Sequence, residues 1–171
     1  MIAAYVIIAL VVLERLAELP YAAHNTKQLL AQGAIETGRS HYALFILLHT
    51  SWLIAIVVML PAKPQINWIV LCAYAAVEGL RVWTLLTLGP FWTTRIITLP
   101  NAPVVRSGPY RFLRHPNYCV VALEIALLPL VFGEVWIALI FSALNAMLLT
   151  WRIRMEERML APRRVLQASD T

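Results

Sequence analysis

The run Gly108-Pro109-Tyr110-Arg111-Phe112-Leu113-Arg114-His115-Pro116-Asn117-Tyr118 sets aromatic rings, arginines and a histidine directly before an apolar segment. Gly108-Pro109 favours a turn, and Pro116 holds His115 extended before a helix can begin. His115 then projects beside a helix N-terminus, where free backbone N–H groups attract anions. Tyr110 and Tyr118 offer ring faces and hydroxyls suited to an adenine or a ribose. Polar groups at a lipid boundary are costly unless they bind something. The plainer alternative is an interfacial belt that anchors the helix to headgroups.

A second polar cluster, Arg152-Ile153-Arg154-Met155-Glu156-Glu157, follows the last apolar segment. Arg152 and Glu156 stand four apart on one helix face and can pair. Glu157 points about 100° away, so the two carboxylates can serve different partners. Leu148, Leu149, Trp151, Ile153, Met155 and Leu160 hold the same helix against apolar surroundings. A carboxylate at that depth needs a cation or a hydroxyl, although a solvated, salt-bridged face would also give this pattern. The two clusters flank one helical hairpin, which can bring them together.

Other chemistries find little support. Glu78 and Arg81, three apart, are expected to pair within a third helix, and Glu124 falls inside a fourth. Arg81 and Glu124 therefore stand as pocket candidates or as structural partners. His24, His41 and His49 lack ligand spacing, so no metal site is expected. Cys72 and Cys119 lie apart in apolar stretches and read as small buried hydrophobes. There is no dinucleotide fingerprint, no P-loop and no nucleophile elbow.

The elements that must position these residues are membrane helices. Of 171 residues, 61% are hydrophobic and 13% charged, with a mean hydropathy of +0.73. A soluble domain is about half apolar and about a quarter charged. The expectation is an all-α integral membrane protein, one domain over 1–171 with a catalytic core at about 88–160. About five transmembrane helices emerge: Ile2 to Leu19, Tyr42 to Leu60, Ile66 to Leu88, Asn117 to Phe132, and a fifth ending near Trp151. The fourth is short for a span of about 20 residues, and Pro129 is expected to bend it. The last two form a C-terminal hairpin, continued by a cytoplasmic interfacial helix and a frayed tail from Pro162. The apolar run starts at Ile2 without a basic region, which reads as a first span rather than a cleaved signal.

The net charge is +5. Its basic residues flank apolar segments, so membrane phospholipid, not nucleic acid, is the expected counter-charge. Lys27, Arg39, Arg95, Arg106, Arg111, Arg114, Arg152, Arg154, Arg158, Arg163 and Arg164 fall on one side, and Lys63 with the amino terminus on the other. This asymmetry places the N-terminus outside and both polar clusters in the cytoplasm, as in a bacterial inner membrane.

The order G-P-Y-R-x-x-R-H-P-x-Y, then R-I-x-x-E-E-x-x-L after a hairpin, resembles the isoprenylcysteine carboxyl methyltransferase family, most strongly from about Leu88 to Leu160. The resemblance implies S-adenosylmethionine as methyl donor and an acceptor that arrives through the membrane. It implies that Tyr110, His115, Pro116 and Tyr118 enclose the cofactor with Glu157, and that Arg152 with Glu156 aligns the acceptor. Nearly the whole chain resembles a bacterial branch, the alkylpyrone O-methyltransferases that accompany type III polyketide synthases. The segments concerned are Glu14-Arg15-Leu16, His24-Asn25, Gly33-Ala34 with Glu36, His41-Tyr42 and Trp92-Thr93-Thr94-Arg95-Ile96. The chain stops soon after Leu160, a departure from the eukaryotic pattern that shifts the expected acceptor away from prenylcysteine. A pyrone enol is acidic, so its anion needs no strong base, which suits a site with Arg152 and Arg95. Trp92, Arg95, Arg81 and Glu124 are the candidates for acceptor contact. The competing readings are methylation of a prenylcysteine-like, phospholipid or quinone-type acceptor, an NADPH-dependent reductase, and a non-enzymatic membrane scaffold.

Overall fold

A computed structural model describes residues 1–100, 102 and 104–169, with backbone alone at 39–41 and 159–169. Side-chain expectations for Arg39, His41, Leu160, Arg163 and Arg164 lie outside the described residues.

The helices are α1 (Ile2–Ala31), α2 (Arg39–Met59), α3 (Trp68–Leu88), α4 (Pro116–Val131) and α5 (Val135–Ser169). Short 3-10 turns occupy Gly89–Phe91 and Gly108–Arg111. Among the described residues, three helices are long and apolar enough to cross a membrane, over Tyr42–Met59, Trp68–Phe91 and Val135–Arg158. The chain is an integral membrane protein. α4 has 16 residues, about 24 Å at helical rise. The apolar part of α1 carries Glu14, Arg15 and Glu18.

α3 packs on α4, α4 on α5, and α5 on α2. The buried core takes Ala4, Ile8 and Val11 from α1, Leu48, Trp52 and Ile56 from α2, and Tyr74 from α3. Ile125, Leu128 and Val131 of α4 and Ile137 of α5 complete it. On α1, α2 and α4 these recur at three or four residues, the spacing of one face. Opposite faces expose Leu10, Leu13, Leu47, Val58, Ile69 and Trp136, apolar surface that a bilayer covers.

The α4–α5 turn rests on Gly133 at φ 80, a left-handed position that suits glycine. Gly133 N–H bonds Leu130 O and Glu134 N–H bonds Pro129 O, closing the hairpin.

Several expectations are corrected. α1 does not end near Leu19 but continues through Pro20 to Ala31. An internal proline costs about 3 kcal/mol, and tertiary contacts on both sides of it hold the helix together: ion pairs from Arg15 and Glu18, and buried Asn25 donating to the carbonyls of Gly89 and Trp92 at 3.0 and 2.9 Å. The all-α reading omitted a two-stranded antiparallel ribbon, β1 (Ile35–Thr37) on β2 (Ile96–Thr98), with Glu36 opposite Ile97. Three-residue strands are too short to leave a period in the sequence. The stretch from Pro162, expected to fray, is helical to Ser169. Cys72 and Cys119 are exposed rather than buried, because outward helix faces here are as apolar as inward ones.

Candidate active site

The loop before α4 is fixed by a close approach. Gly108 has φ +53, and a Cβ there would lie 2.4 Å from Thr87 Oγ1 on α3, so only glycine fits. The turn then tightens, with Phe112 and Leu113 N–H both bonded to Pro109 O. Ahead of Pro116, His115 leaves the helical region (φ −136, ψ 66) but stops short of the extended ψ expected before a proline. Tyr118 and Cys119 N–H bond back to His115 O as α4 begins. One turn later the Tyr118 ring stacks on His115, centroids 5.3 Å apart and planes 19° from parallel.

From the other side, α5 brings Arg152 and Glu156. The Tyr118 hydroxyl donates to Glu156 Oε2 and accepts from Arg152 Nε at 3.0 Å. Arg152 also donates from Nη2 to Thr94 O at 2.9 Å. Its guanidinium lies 5.1 Å from the Phe45 ring centroid and 5.6 Å from that of Tyr118, within cation–π range. The expected contact of Arg152 with Glu156 thus runs through a tyrosine hydroxyl. His115 Nδ1 is 3.9 Å from Glu156 Oε2, and His115 Nε2 is 3.6 Å from Glu157 Oε1.

His115, Tyr118, Arg152 and Glu156 share a cavity of about 610 Å³, a volume usual for a small-molecule site. Trp92, Arg95, Tyr110, His115, Tyr118, Arg152 and Glu156 all line it. Trp92 Nε1 and Asn117 Oδ1 are buried there without a hydrogen-bond partner among the described residues. A donor and an acceptor left open suit a polar ligand, since buried polar groups are costly when unmet. Burial, and secondarily the Glu156 charge, push the Tyr110 phenol well above its usual range, so it stays a neutral donor.

The remaining candidates lie elsewhere. Pro116 is buried at the helix start and shapes the loop rather than the wall. Glu157 sits at the rim, accepting from the exposed Arg114 at 3.0 Å. Arg81 and Glu124 are absent from the cavity wall. They form a two-pronged pair, with Arg81 Nε donating to Glu124 Oε1 at 2.6 Å and Nη2 to Oε2. Arg81 also meets Glu18 at 3.1 Å, while Arg15 bridges Glu78 and Glu124, each at 3.0 Å. This is a buried ion-pair network joining α1, α3 and α4, one of the two roles the sequence left open.

Sequence reasoning missed the supports of the two site arginines. Arg95 pairs with Glu36 of β1 at 3.1 Å and lies 5.3 Å from the Tyr42 ring centroid. Thr94 Oγ1 donates to the Tyr42 hydroxyl at 3.1 Å. Glu36, Tyr42 and Thr94 stood within the segments that carried the bacterial resemblance, the one signal that could have found them. Nothing marked Phe45.

Among known proteins, the family model described as "Isoprenylcysteine carboxyl methyltransferase (ICMT) family" matches residues 68–162. That stretch spans α3, the loop, α4 and the site part of α5. The uncharacterized protein YpbQ of Bacillus subtilis is 39% identical over 160 residues, covering 91% of this chain and 95% of its own. An uncharacterized protein of Haemophilus influenzae is 26% identical over 151 residues, covering 84% and 86%. No solved structure matches the chain.

Proposed function

The chain belongs to the isoprenylcysteine carboxyl methyltransferase family, and from that premise we propose that it is an S-adenosylmethionine-dependent membrane methyltransferase that methylates an acidic oxygen of a lipophilic acceptor, an alkylpyrone enol. The observation that carries this reading is the chain of bonds Thr94–Arg152–Tyr118–Glu156, whose last three members line the cavity wall. It sets a guanidinium and a carboxylate side by side, each fixed by a neutral hydroxyl.

S-adenosylmethionine, when bound, supplies a methyl group carried on a sulfonium. The residues that would hold it are Tyr110, His115 and Tyr118, with Pro116 shaping the loop and Glu157 at the rim. The stacked His115–Tyr118 pair and the open Trp92 and Asn117 atoms fit such a ligand. Methyl transfer to oxygen is an in-line displacement, so catalysis is positioning and electrostatics. An acceptor that enters as its enolate needs no base. Arg152 uses Nε and Nη2 on Tyr118 and Thr94, which leaves Nη1 to meet the enolate oxygen. Glu156, through Tyr118, keeps the guanidinium plane in place. Arg95 adds a second positive charge on the same wall. In this reading all five helices cross the membrane as one domain, with the core at about 88–160. The N-terminus lies outside and the site opens to the cytoplasm, where the basic residues gather.

The test is methyl transfer by detergent-purified protein from labelled S-adenosylmethionine to long-chain alkylpyrones, a farnesylated cysteine analogue and phosphatidylethanolamine. Label in the alkylpyrone supports the full reading. Label in another acceptor keeps the methyltransferase and discards the pyrone. Arg152→Ala and Glu156→Ala are expected to abolish turnover in inserted protein, whereas His115→Ala and Glu157→Ala weaken cofactor binding by calorimetry. No product and no cofactor binding would return the chain to a scaffold role.

A further inference from the structure

Arg95, Ile96 and Arg152 form a wall with space on both sides. One side is the large cavity; the other is a crevice of about 20 Å³ at the start of α2, beside Tyr42, Phe45, Trp151 and Met155. The two guanidiniums in this wall are held differently. Arg152 is gripped by a carbonyl, a hydroxyl and two rings. The contacts of the Arg95 guanidinium are Glu36, at 3.1 and 3.4 Å from Nη1, and the Tyr42 ring. Within that pair the carboxylate is the fixed member. Glu36 lies in β1, paired across the ribbon to Ile97, and its side chain is 12% exposed against 36% for Arg95.

We infer that Glu36 is a positioning residue that occupies Arg95 in place of an acceptor's anion, so that an acidic acceptor must displace it to reach Arg95 while a neutral one leaves the pair intact. This rests on the methyltransferase reading. Two like charges sharing a wall repel, and Glu36 offsets one of them while the site is empty. An anionic acceptor oxygen competes with Glu36 for Arg95 and regains its charge-assisted hydrogen bonds. A neutral acceptor cannot displace a carboxylate and meets an arginine already engaged. Preference for the acid then comes from the contact formed with Arg95, and the contact given up lowers it. Glu36 lies in the first third of the chain, outside the matched 68–162, and Arg95 lies within that stretch.

The experiment measures binding of a long-chain 4-hydroxy-2-pyrone and its 4-methoxy derivative to protein in nanodiscs, with S-adenosylhomocysteine present. Glu36→Gln is expected to tighten the hydroxypyrone by about two- to fivefold, the worth of a part-exposed ion pair. Arg95→Gln is expected to weaken it by about tenfold or more. The methoxy compound should shift by less than about twofold in either, because the pair's worth is electrostatic. The exchanged pair, Glu36→Arg with Arg95→Glu, should regain wild-type thermal stability without regaining hydroxypyrone affinity. The inference is overturned if both compounds weaken together, if the exchanged pair restores binding, or if wild type does not prefer the hydroxypyrone. Turnover of labelled S-adenosylmethionine with any acceptor would then show the methyltransferase standing without it.

Discussion

Tyr118→Phe isolates one hydroxyl. The ring stays, so the stack on His115 and the face offered to Arg152 are retained. What goes is the donor to Glu156 and the acceptor for Arg152 Nε. A hydrogen bond to a charged group contributes about 1.5–3 kcal/mol. Arg152 keeps its bond to Thr94 and its place over Phe45, so it is loosened rather than lost. Glu156 is 28% exposed, and water can replace the hydroxyl there. The loss is therefore about one such bond, about 2–3 kcal/mol, or about 30- to 150-fold in kcat/KM. Labelled methyl transfer gives the rate, and calorimetry gives cofactor affinity, which should move by less than about threefold because the ring remains. Wild-type kcat/KM would refute the bridging role. A cofactor affinity that falls in step with the rate would move the hydroxyl from acceptor alignment to cofactor binding.

Gly108→Ala forces a side chain to within 2.4 Å of Thr87 Oγ1 at a positive φ. It should cost about 1–3 kcal/mol in detergent unfolding, only partly recovered by adding Thr87→Ala, since the strain in φ persists. Arg81→Leu removes the two-pronged partner of Glu124, leaving it and Glu18 to Arg15 alone, and should cost about 3–5 kcal/mol, read as loss of folded protein on size-exclusion chromatography. Burial pushes the Glu134 carboxyl in the hairpin turn up from 4.5 to about 7, and both its oxygens lack partners among the described residues. A carboxyl raised in the folded state favours folding below its unfolded pKa, and that contribution fades as pH rises to about 7. Thermal stability of the wild type should therefore fall between pH 4.5 and 7, and Glu134→Gln should flatten this profile and be the more stable at pH 8.

The helical hairpin and the two polar clusters at its base were legible because each rests on local rules. Pro116 starts α4, Gly133 ends its turn, and Arg152 and Glu156 share a face by helical spacing. Pairing across elements was not. Arg152 reaches Thr94 at a separation of 58 residues and Arg95 reaches Glu36 at 59, and neither partner is marked by spacing. Residues 35–37 and 96–98 form strands through each other, so neither announces itself alone. The end of α1 was misjudged for the same reason: the helix runs on past its apolar part because Asn25 docks on the carbonyls of Gly89 and Trp92.

That docking also gives the intramembrane charges their place in the design. Arg81 stands six residues before Thr87 on α3, and Glu124 six residues after Tyr118 on α4, each about 9 Å along its helix. The Arg81–Glu124 pair therefore locks the two helices at one depth, and the Gly108–Thr87 contact locks the loop between them at another. Two clamps fix both the rotation of α4 and its position along α3. Tyr118 lies between them, so its hydroxyl is held where Arg152 and Glu156 converge. Arg15 and Glu18 extend the inner clamp to α1, whose Asn25 grips the turn that leads to Trp92. Ion pairs in lipid add little net stability over apolar packing. Their advantage here is register: an apolar face tolerates sliding by a fraction of a turn, and a two-pronged guanidinium–carboxylate pair does not.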